Sequence, residues 1–298
     1  MATNNFKPFA IGNNANVTSQ ADYEALAALL TGFQAGKASS AQINKALRQS
    51  SVMAYVLAQF ISDSASVDVL DNGTPAAILA SLKAGMTSLT PGRLLNVQVF
   101  TASGIYTPTP GTKSVVVEVQ AGGGGGGYAR ATSNGFMAVG SGGGAGGYAK
   151  AIIKPAPASQ ALTVGLGGDQ GAPGGVSTFG TVTATGGLGG ENADVQFADG
   201  SVRQVKGGEG GIGSGGLFNS RGANGGRGIT TVSGNLIGGE GGRSFFSSAP
   251  LPPYASSGAG KQGGIGSGGT GAISSSAPAT PFAGGFGGNG MILVWEYA

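Results

Sequence analysis

Between residues 43 and 61 the apolar positions recur at mostly three and four, the spacing of a helical stripe, and capping signals mark further helices on either side. Ser19, with Asp22 three residues on, resembles a capping box whose carboxylate suits a helix N-terminus. It predicts a helix over about 20–30 that stops near Gly32. A second helix is expected from Ser39 or Ser40 to about Ser62, with Ile43, Leu47, Met53, Val56, Leu57, Phe60 and Ile61 as its stripe. Asn72-Gly73 makes a turn. Thr74 then caps a third helix, with Pro75 at its first position, Ile78, Leu79 and Leu82 on its apolar face and Gly85 past its end. Residues 1–17, polar with Phe6, Pro8 and Phe9 as anchors, read as an extended arm, and Thr90-Pro91-Gly92 closes the helical domain. These helices suit a compact bundle or packing around a threefold axis.

From Leu94 the period switches to two. Residues 95–100 alternate, and Val115, Val117 and Val119 share one face of the next strand. Further strands are expected at Tyr148–Ile153, Gln160–Val164 and Val176–Thr185, and Met291–Tyr297 forms an aromatic-rich last strand. Pairing of Val115–Val119 with Met291–Tyr297 would make a small β-domain with everything between them as one large extension.

That extension is dominated by glycine. Of the 62 glycines, 54 lie between Gly122 and Gly290, a collagen-like fraction without collagen's strict repeat or its proline. A period of three persists in short runs: Gly165, Gly168, Gly171, Gly174; Gly207, Gly210, Gly213, Gly216; Gly222, Gly225, Gly228; Gly260, Gly263, Gly266, Gly269; and Gly284, Gly287, Gly290. Three residues per turn is the period of a polyproline-II-type helix, which has no internal hydrogen bonds. With glycine along an edge, such helices approach closely enough to bond backbone to backbone. One run alone would not overcome glycine's ordering cost. The segment 122–290 is therefore read as a sandwich of polyglycine-II helices with exposed loops, against the plainer reading of a flexible linker. The phased runs and the strand-like segments at both ends favour the sandwich. The fold class is α+β and multidomain: an arm (1–17), a helical attachment or oligomerisation domain (18–90) and a β-flanked glycine-rich domain (91–298).

Composition narrows the chemistry. Charged residues make up 10% of the chain and the net charge is +3, with lysines and arginines spread singly, which argues against nucleic-acid binding. There is no cysteine and no histidine, which removes thiolate chemistry and every His-containing triad. No cofactor and no metal are expected. The start carries no signal-peptide pattern and the longest apolar patch, 52–61, falls well short of the ~20 residues that span a bilayer. A protein made in the cytoplasm, without membrane insertion, is expected.

A pattern of motifs resembles a known family. Phe100-Thr101-Ala102-Ser103-Gly104-Ile105-Tyr106-Thr107-Pro108, then Val115–Val119 and the glycine block, Ala145–Lys150, Leu162–Gly165 and the closing 288–297 are together similar to the glycine-rich domain of bacteriophage tail fibres. The likeness covers about residues 98–298. The first ninety or so residues resemble, more weakly, the amino-terminal part of phage or prophage tail-fibre proteins, on residues 2–10 and Gln49-Ser50-Ser51. The resemblance implies a virion component, a receptor-binding adhesin that recognises an outer-membrane protein or lipopolysaccharide through variable loops at the tip of a rigid sandwich. Tail fibres of this kind are commonly homotrimers, although some such adhesins are monomers that cap a trimeric fibre; the helical region on the same chain favours the homotrimer, with residues 1–90 docking on other phage tail proteins.

If the glycine runs are scaffold, recognition falls to the loops between them, where aromatic and arginine anchors are favoured. The candidates are Arg130, Asn134, Phe136 and Met137; Phe218, Asn219 and Arg221; Phe245, Phe246, Pro253 and Tyr254; and Phe282. The third loop is a stiff, proline-rich turn with three rings, either facing solvent at a tip or covering the lattice end as a lid. Residues 192–205 alternate like an ordinary hairpin around Asp199-Gly200. Two other functions compete. A structural fibre would explain the glycines but not the aromatic loops. A polysaccharide-degrading tailspike would need paired carboxylates, whereas Asp169, Glu191, Asp194, Asp199, Glu209 and Glu240 are scattered. An adhesin without enzymatic activity is the expectation.

Overall fold

The computed structural model describes residues 2–34, 39–194, 197–198, 202–231, 235–275 and 280–298. The chain divides into two compact units, Met1–Gly92 and Arg93–Ala298.

In the first unit, α1 (Gln20–Glu24) begins at Ser19, whose Oγ accepts from the Asp22 amide at 3.1 Å. The helix expected to continue to residue 30 breaks, and α2 (Ala28–Thr31) follows separately. Neither piece buries a residue, so no packing holds a short helix together there. α3 (Ser40–Ala65) and α4 (Pro75–Ser88) are longer. Gly85 lies inside α4, not past its end, because a Cβ there would strike the Ser64 side chain of α3; it is a close-packing point. Thr74 does not cap α4 either: its hydroxyl bonds the Asn72 side chain instead. The arm is fastened to Val69, whose amide donates to Thr3 O (2.8 Å) and whose carbonyl accepts from Asn5 N (3.0 Å). Phe6 thereby joins Ala58, Ile61, Val69, Ile78 and Leu82 in a small core. One side of α3 remains open: Ile43, Leu47, Met53, Val56, Leu57 and Phe60 are all exposed. No helix among the described residues is long and apolar enough to cross a membrane.

The second unit begins with two five-stranded antiparallel sheets packed face to face. In the first the order is β1 (Leu94–Phe100), β16 (Met291–Tyr297), β3 (Ser114–Gln120), β5 (Tyr148–Ile153) and β12 (Phe218–Ser220). In the second it is β11 (Gly213–Ser214), β8 (Val182–Ala184), β7 (Ser177–Phe179), β6 (Gln160–Thr163) and β2 (Gly104–Tyr106). The expected pairing of β3 with β16 is present, with Val117 opposite Val294. Val115, Val117 and Val119 point between the sheets, onto Tyr106, Leu162, Phe179 and Val182. The last residue returns to the first, Ala298 N donating to Arg93 O at 2.9 Å. Within this end Glu296 is fully buried and accepts from Tyr106 Oη (2.8 Å), Thr109 N (2.9 Å), Thr109 Oγ1 (2.6 Å) and Gln98 Nε2 (3.1 Å).

Beyond the strands the glycine runs form a lattice of backbone hydrogen bonds, seen most clearly around Gly122–Gly127. The amides of Gly122 and Gly125 donate to Gly175 and Ala172, those of Gly123 and Gly126 to Gly288 and Gly285, and those of Gly124 and Gly127 to Gly144 and Ser141. Its carbonyls serve three more runs: Gly187 and Gly190 reach Gly122 and Gly125, Gly168 and Gly171 reach Gly123 and Gly126, and Gly269 and Ala272 reach Gly124 and Gly127. Among the described residues this run has six neighbours, each addressed once per three residues. The antiparallel run 140–147 is surrounded in the same way, and shares the runs 185–191 and 266–272 with it. Tracing the remaining bonds places the runs in three rows. The middle row is 165–171, 122–127, 140–147 and 223–226; one flank is 172–175, 185–191 and 208–211; the other is 285–288, 266–272 and 239–242, with 260–263 lying outside it.

This geometry depends on the missing side chain. A Cβ on Gly124, Gly125 or Gly126 would fall on the carbonyl of Leu188, Asp169 or Thr270. Where a hydroxyl replaces hydrogen it must be bonded: Ser141 Oγ accepts from Glu191 N (2.7 Å) and donates to Lys206 O (2.6 Å). The period read from the sequence crosses two chain reversals. Asp169 O accepts from Ala172 N and Gly264 O from Ser267 N, with Gly171 (φ 66°) and Gly266 (φ 67°) in the left-handed region of each turn. Gly174 and Gly269 therefore belong to different runs from Gly165 and Gly260.

At its far end the lattice is finished by two small sheets. One orders β15 (Ile273–Ser275), β4 (Phe136–Val139) and β9 (Phe197–Ala198); the other orders β10 (Arg203–Val205), β13 (Gly228–Thr230) and β14 (Leu236–Ile237). The turn Asp199-Gly200 of the expected hairpin lies outside the described residues. Among the described residues its flanks pair elsewhere, β9 with β4 and β10 with β13.

Two predictions follow from the packing. Gly125→Ala should cost about 3 kcal/mol by overpacking, whereas Gly104→Ala, whose Cβ meets nothing within 4 Å, should stay within about 0.5 kcal/mol; thermal and denaturant unfolding of the full chain reads both. The second concerns Glu296. Burial pushes its carboxyl up, but hydrogen bonds from Thr109, Tyr106 and Asn96 outweigh this and hold it below its ordinary value. Its stabilisation is then full above about pH 4.3, the ordinary glutamate value, and is lost as pH falls through the lower folded-state value. Glu296→Gln should lower stability at pH 7 by about 2 kcal/mol and weaken the acid-side loss seen in unfolding curves between about pH 5 and 2.

Candidate functional site

The lattice sorts side chains by position. Residues 122–127 and 140–147 are buried and present nothing to solvent. The flanking runs turn every third side chain outward, as with Thr185, Leu188 and Glu191, or Lys206, Glu209 and Ile212. The remaining exposed chemistry sits where runs reverse, at the strand end or at the far end.

The far end holds Arg130, Asn134, Phe136, Met137, Pro253, Tyr254 and Phe282. Arg130 and Asn134 are exposed, Asn134 in a turn closed by Phe136 N on Ser133 O at 3.0 Å. Tyr254 is 60% exposed although its backbone bridges to Ile237 of β14, and Pro253 O accepts from Gly238 N at 3.0 Å. Phe282 pairs with Ala129 and covers Ala129, Ala138, Ala193 and Ala272, half-buried. Met137 must be corrected: it is fully buried with Val139, Leu236 and Ile273, so it is core and offers no contact surface. Phe282 closes the candidate loop Ala277–Phe282, of which Ala277–Ala279 lie outside the described residues.

Phe218, Asn219, Arg221, Phe245 and Phe246 lie at the opposite, strand end. Phe245 stacks on Tyr148 of β5, centroids 4.0 Å apart and planes at 12°, while Phe246 and Phe218 meet the same ring edge-on at 5.9 and 6.1 Å. The three rings of the 245–254 loop are therefore not one cluster. The chain passes from the strand end at Phe246 to the far end at Pro253, which separates Tyr254 from the two phenylalanines. Asn219 is occupied in closing its own turn, accepting from Gly216 N (3.0 Å) and donating to Gly216 O (2.9 Å). Arg221 donates through Nε to Gly210 O at 3.1 Å and through Nη2 to Glu209 at 3.4 Å.

Sequence reasoning missed a polar cluster at the far end. Tyr128 Oη donates to Asp194, and Arg130 Nη1 donates to the Asp194 carbonyl. The hydrogen bond to Asp194 raises the Tyr128 phenol above its ordinary value, helped by burial and by the carboxylate charge, and opposed by Arg130. The signal was present: Tyr128 directly follows Gly122–Gly127, and Tyr148 directly follows Gly146-Gly147, so each central run ends in a tyrosine at opposite ends of the lattice. Among the described residues no group of three or more acidic side chains converges on a metal-sized space.

No curated protein matches the chain. A family model described as a glycine-rich domain matches residues 100–295, a span that includes the whole lattice, the far-end loops and every strand of the two five-stranded sheets except β1, of which it reaches only Phe100, and the last two residues of β16. The chain accordingly belongs to the glycine-rich domain family.

Proposed function

We propose that the chain is a bacteriophage tail-fibre adhesin, carried on the virion, that recognises a bacterial outer-membrane protein or lipopolysaccharide through the far-end loops. The observation that carries this reading is the division of labour in the second unit. A scaffold bonded through its backbone holds Arg130, Asn134 and Tyr254 exposed on reversals at one end, and function tends to sit on loops positioned by rigid elements. In this reading the runs are polyglycine-II helices, supported by a hydrogen-bond partner that repeats every third residue. The first unit assembles the chain into a homotrimer and docks on other tail proteins; the open apolar side of α3 supports self-association, since a stripe of that length is rarely left to water.

Full-length protein should bind intact cells of some bacterial strains and not others. A variant carrying Arg130→Ala and Tyr254→Ala should lose about ten-fold or more of that binding with its unfolding curve unchanged; undiminished binding would remove the far end as the contact surface. Sedimentation should give a trimer that Met53→Glu with Leu57→Glu reduces to monomer. A monomer before mutation would sink the assembly reading.

A further inference from the structure

At the strand end, on the flank of the lattice, a pocket of about 300 Å³ opens between the runs 222–226 and 239–243 and the end of 140–147. Its walls are Tyr148, Arg221, Arg243, Ser244 and Phe245, and its floor includes the bare backbone of Gly146 and Gly222. We propose that this pocket binds an anionic saccharide, a pyranose bearing a phosphate or carboxylate. The inference stands apart from the receptor reading, which rests on the opposite end of the lattice.

Three features define the ligand class. First, the lining contains two guanidinium groups and no carboxylate. Arg243 meets Glu240 through Nη2 at 3.3 Å, which leaves its Nε and Nη1 for a ligand, whereas Arg221 spends Nε on Gly210 O and Nη2 on Glu209 and keeps Nη1; Gly210 and both glutamates stand outside the lining. A guanidinium fork matches the planar or tetrahedral oxygens of a carboxylate or phosphate. Second, Phe245 lines the pocket, stacked on Tyr148 and met edge-on by Phe246 yet 60% exposed, so the pocket has an accessible apolar ring among its walls. The C–H face of a pyranose fits such a ring by dispersion and area burial. Third, the glycine floor has no side chain to fill the space, and Ser220 Oγ makes only a 3.3 Å bond to Arg221 O, leaving a hydroxyl for a sugar hydroxyl. The volume lies at the small end for ligand sites and suits one ring with its anionic substituent. An acidic peptide would use the arginines but would leave the aromatic face unexplained.

Titration calorimetry of the full chain with glucose 6-phosphate, glucuronate, glucose and inorganic phosphate tests this. Binding of glucose 6-phosphate or glucuronate is expected, the stronger of the two identifying the anion. Glucose and inorganic phosphate should each bind roughly ten-fold or more weakly. Arg243→Ala should weaken the anionic sugar by a similar factor, Arg243→Lys less. Phe245→Leu, which keeps Tyr148 covered but removes the flat face, should weaken it while leaving inorganic phosphate unchanged. Equal binding of glucose, sugar binding retained by folded Arg221→Ala/Arg243→Ala protein, or phosphate binding as tightly as the sugar phosphate would each overturn the proposal. Arg130→Ala with Tyr254→Ala should leave this titration untouched even if cell binding is lost, which keeps the two sites separable.

Discussion

The second unit depends on the approach of one backbone to another with no side chain between them. At Gly124, Gly125 and Gly126 the space for a Cβ is already taken by a neighbouring carbonyl. The bonds of this lattice are long-range in sequence, and each is individually modest. Their value lies in satisfaction: every residue of 122–127 is buried, and each amide and carbonyl of the run finds a partner in a different strand of chain. Glycine's ordering cost is offset by this complete pairing and by the strand sandwich that fixes where each run begins. Gln120 and Ser177 stand at that junction. Gln120 Nε2 caps the carbonyls of Gly146 and Gly147, and Ser177 Oγ links Gln120 O to the Gly165 amide, so the change from a period of two to a period of three leaves these groups bonded.

A core made of backbone has a consequence for side chains. In an ordinary domain most large residues are drawn inward, and loop composition is constrained by what the core needs. Here the middle row needs almost none, so arginine, phenylalanine and tyrosine are free to occupy reversals and outward thirds. The apolar interior is confined to the strand sandwich, and to small clusters such as Met137, Val139, Leu236 and Ile273. That confinement makes both lattice ends chemically rich while its centre is nearly featureless.

What could be read from the sequence follows the same physics. β5 and β16 matched the expected boundaries, and β1 and β3 nearly so, because alternation of apolar residues marks a strand with one face buried, as Val115, Val117 and Val119 show. The spacing of glycine gave the repeat of the lattice but not its partners, since Gly122 and Gly140 look alike until their neighbours are known. The same blindness hid the reversals at Gly171 and Gly266, which keep the period while turning the chain. At the candidate site, ring-bearing loops were legible as loops. Which end they reach was not, and the stretch from Phe246 to Pro253 carried Tyr254 away from the rings it was grouped with. Met137 was misplaced because a two-residue partner such as β14 gives no signal in sequence, yet it is enough to bury a methionine.

The bond from Ala298 back to Arg93 sets how the unit answers a pull. Both ends of its chain lie side by side on one ladder, β1 antiparallel to β16 with Val97 opposite Trp295. Tension entering at Arg93 and resisted by a tethered far end loads that ladder lengthwise, so its hydrogen bonds share the force together instead of parting one by one.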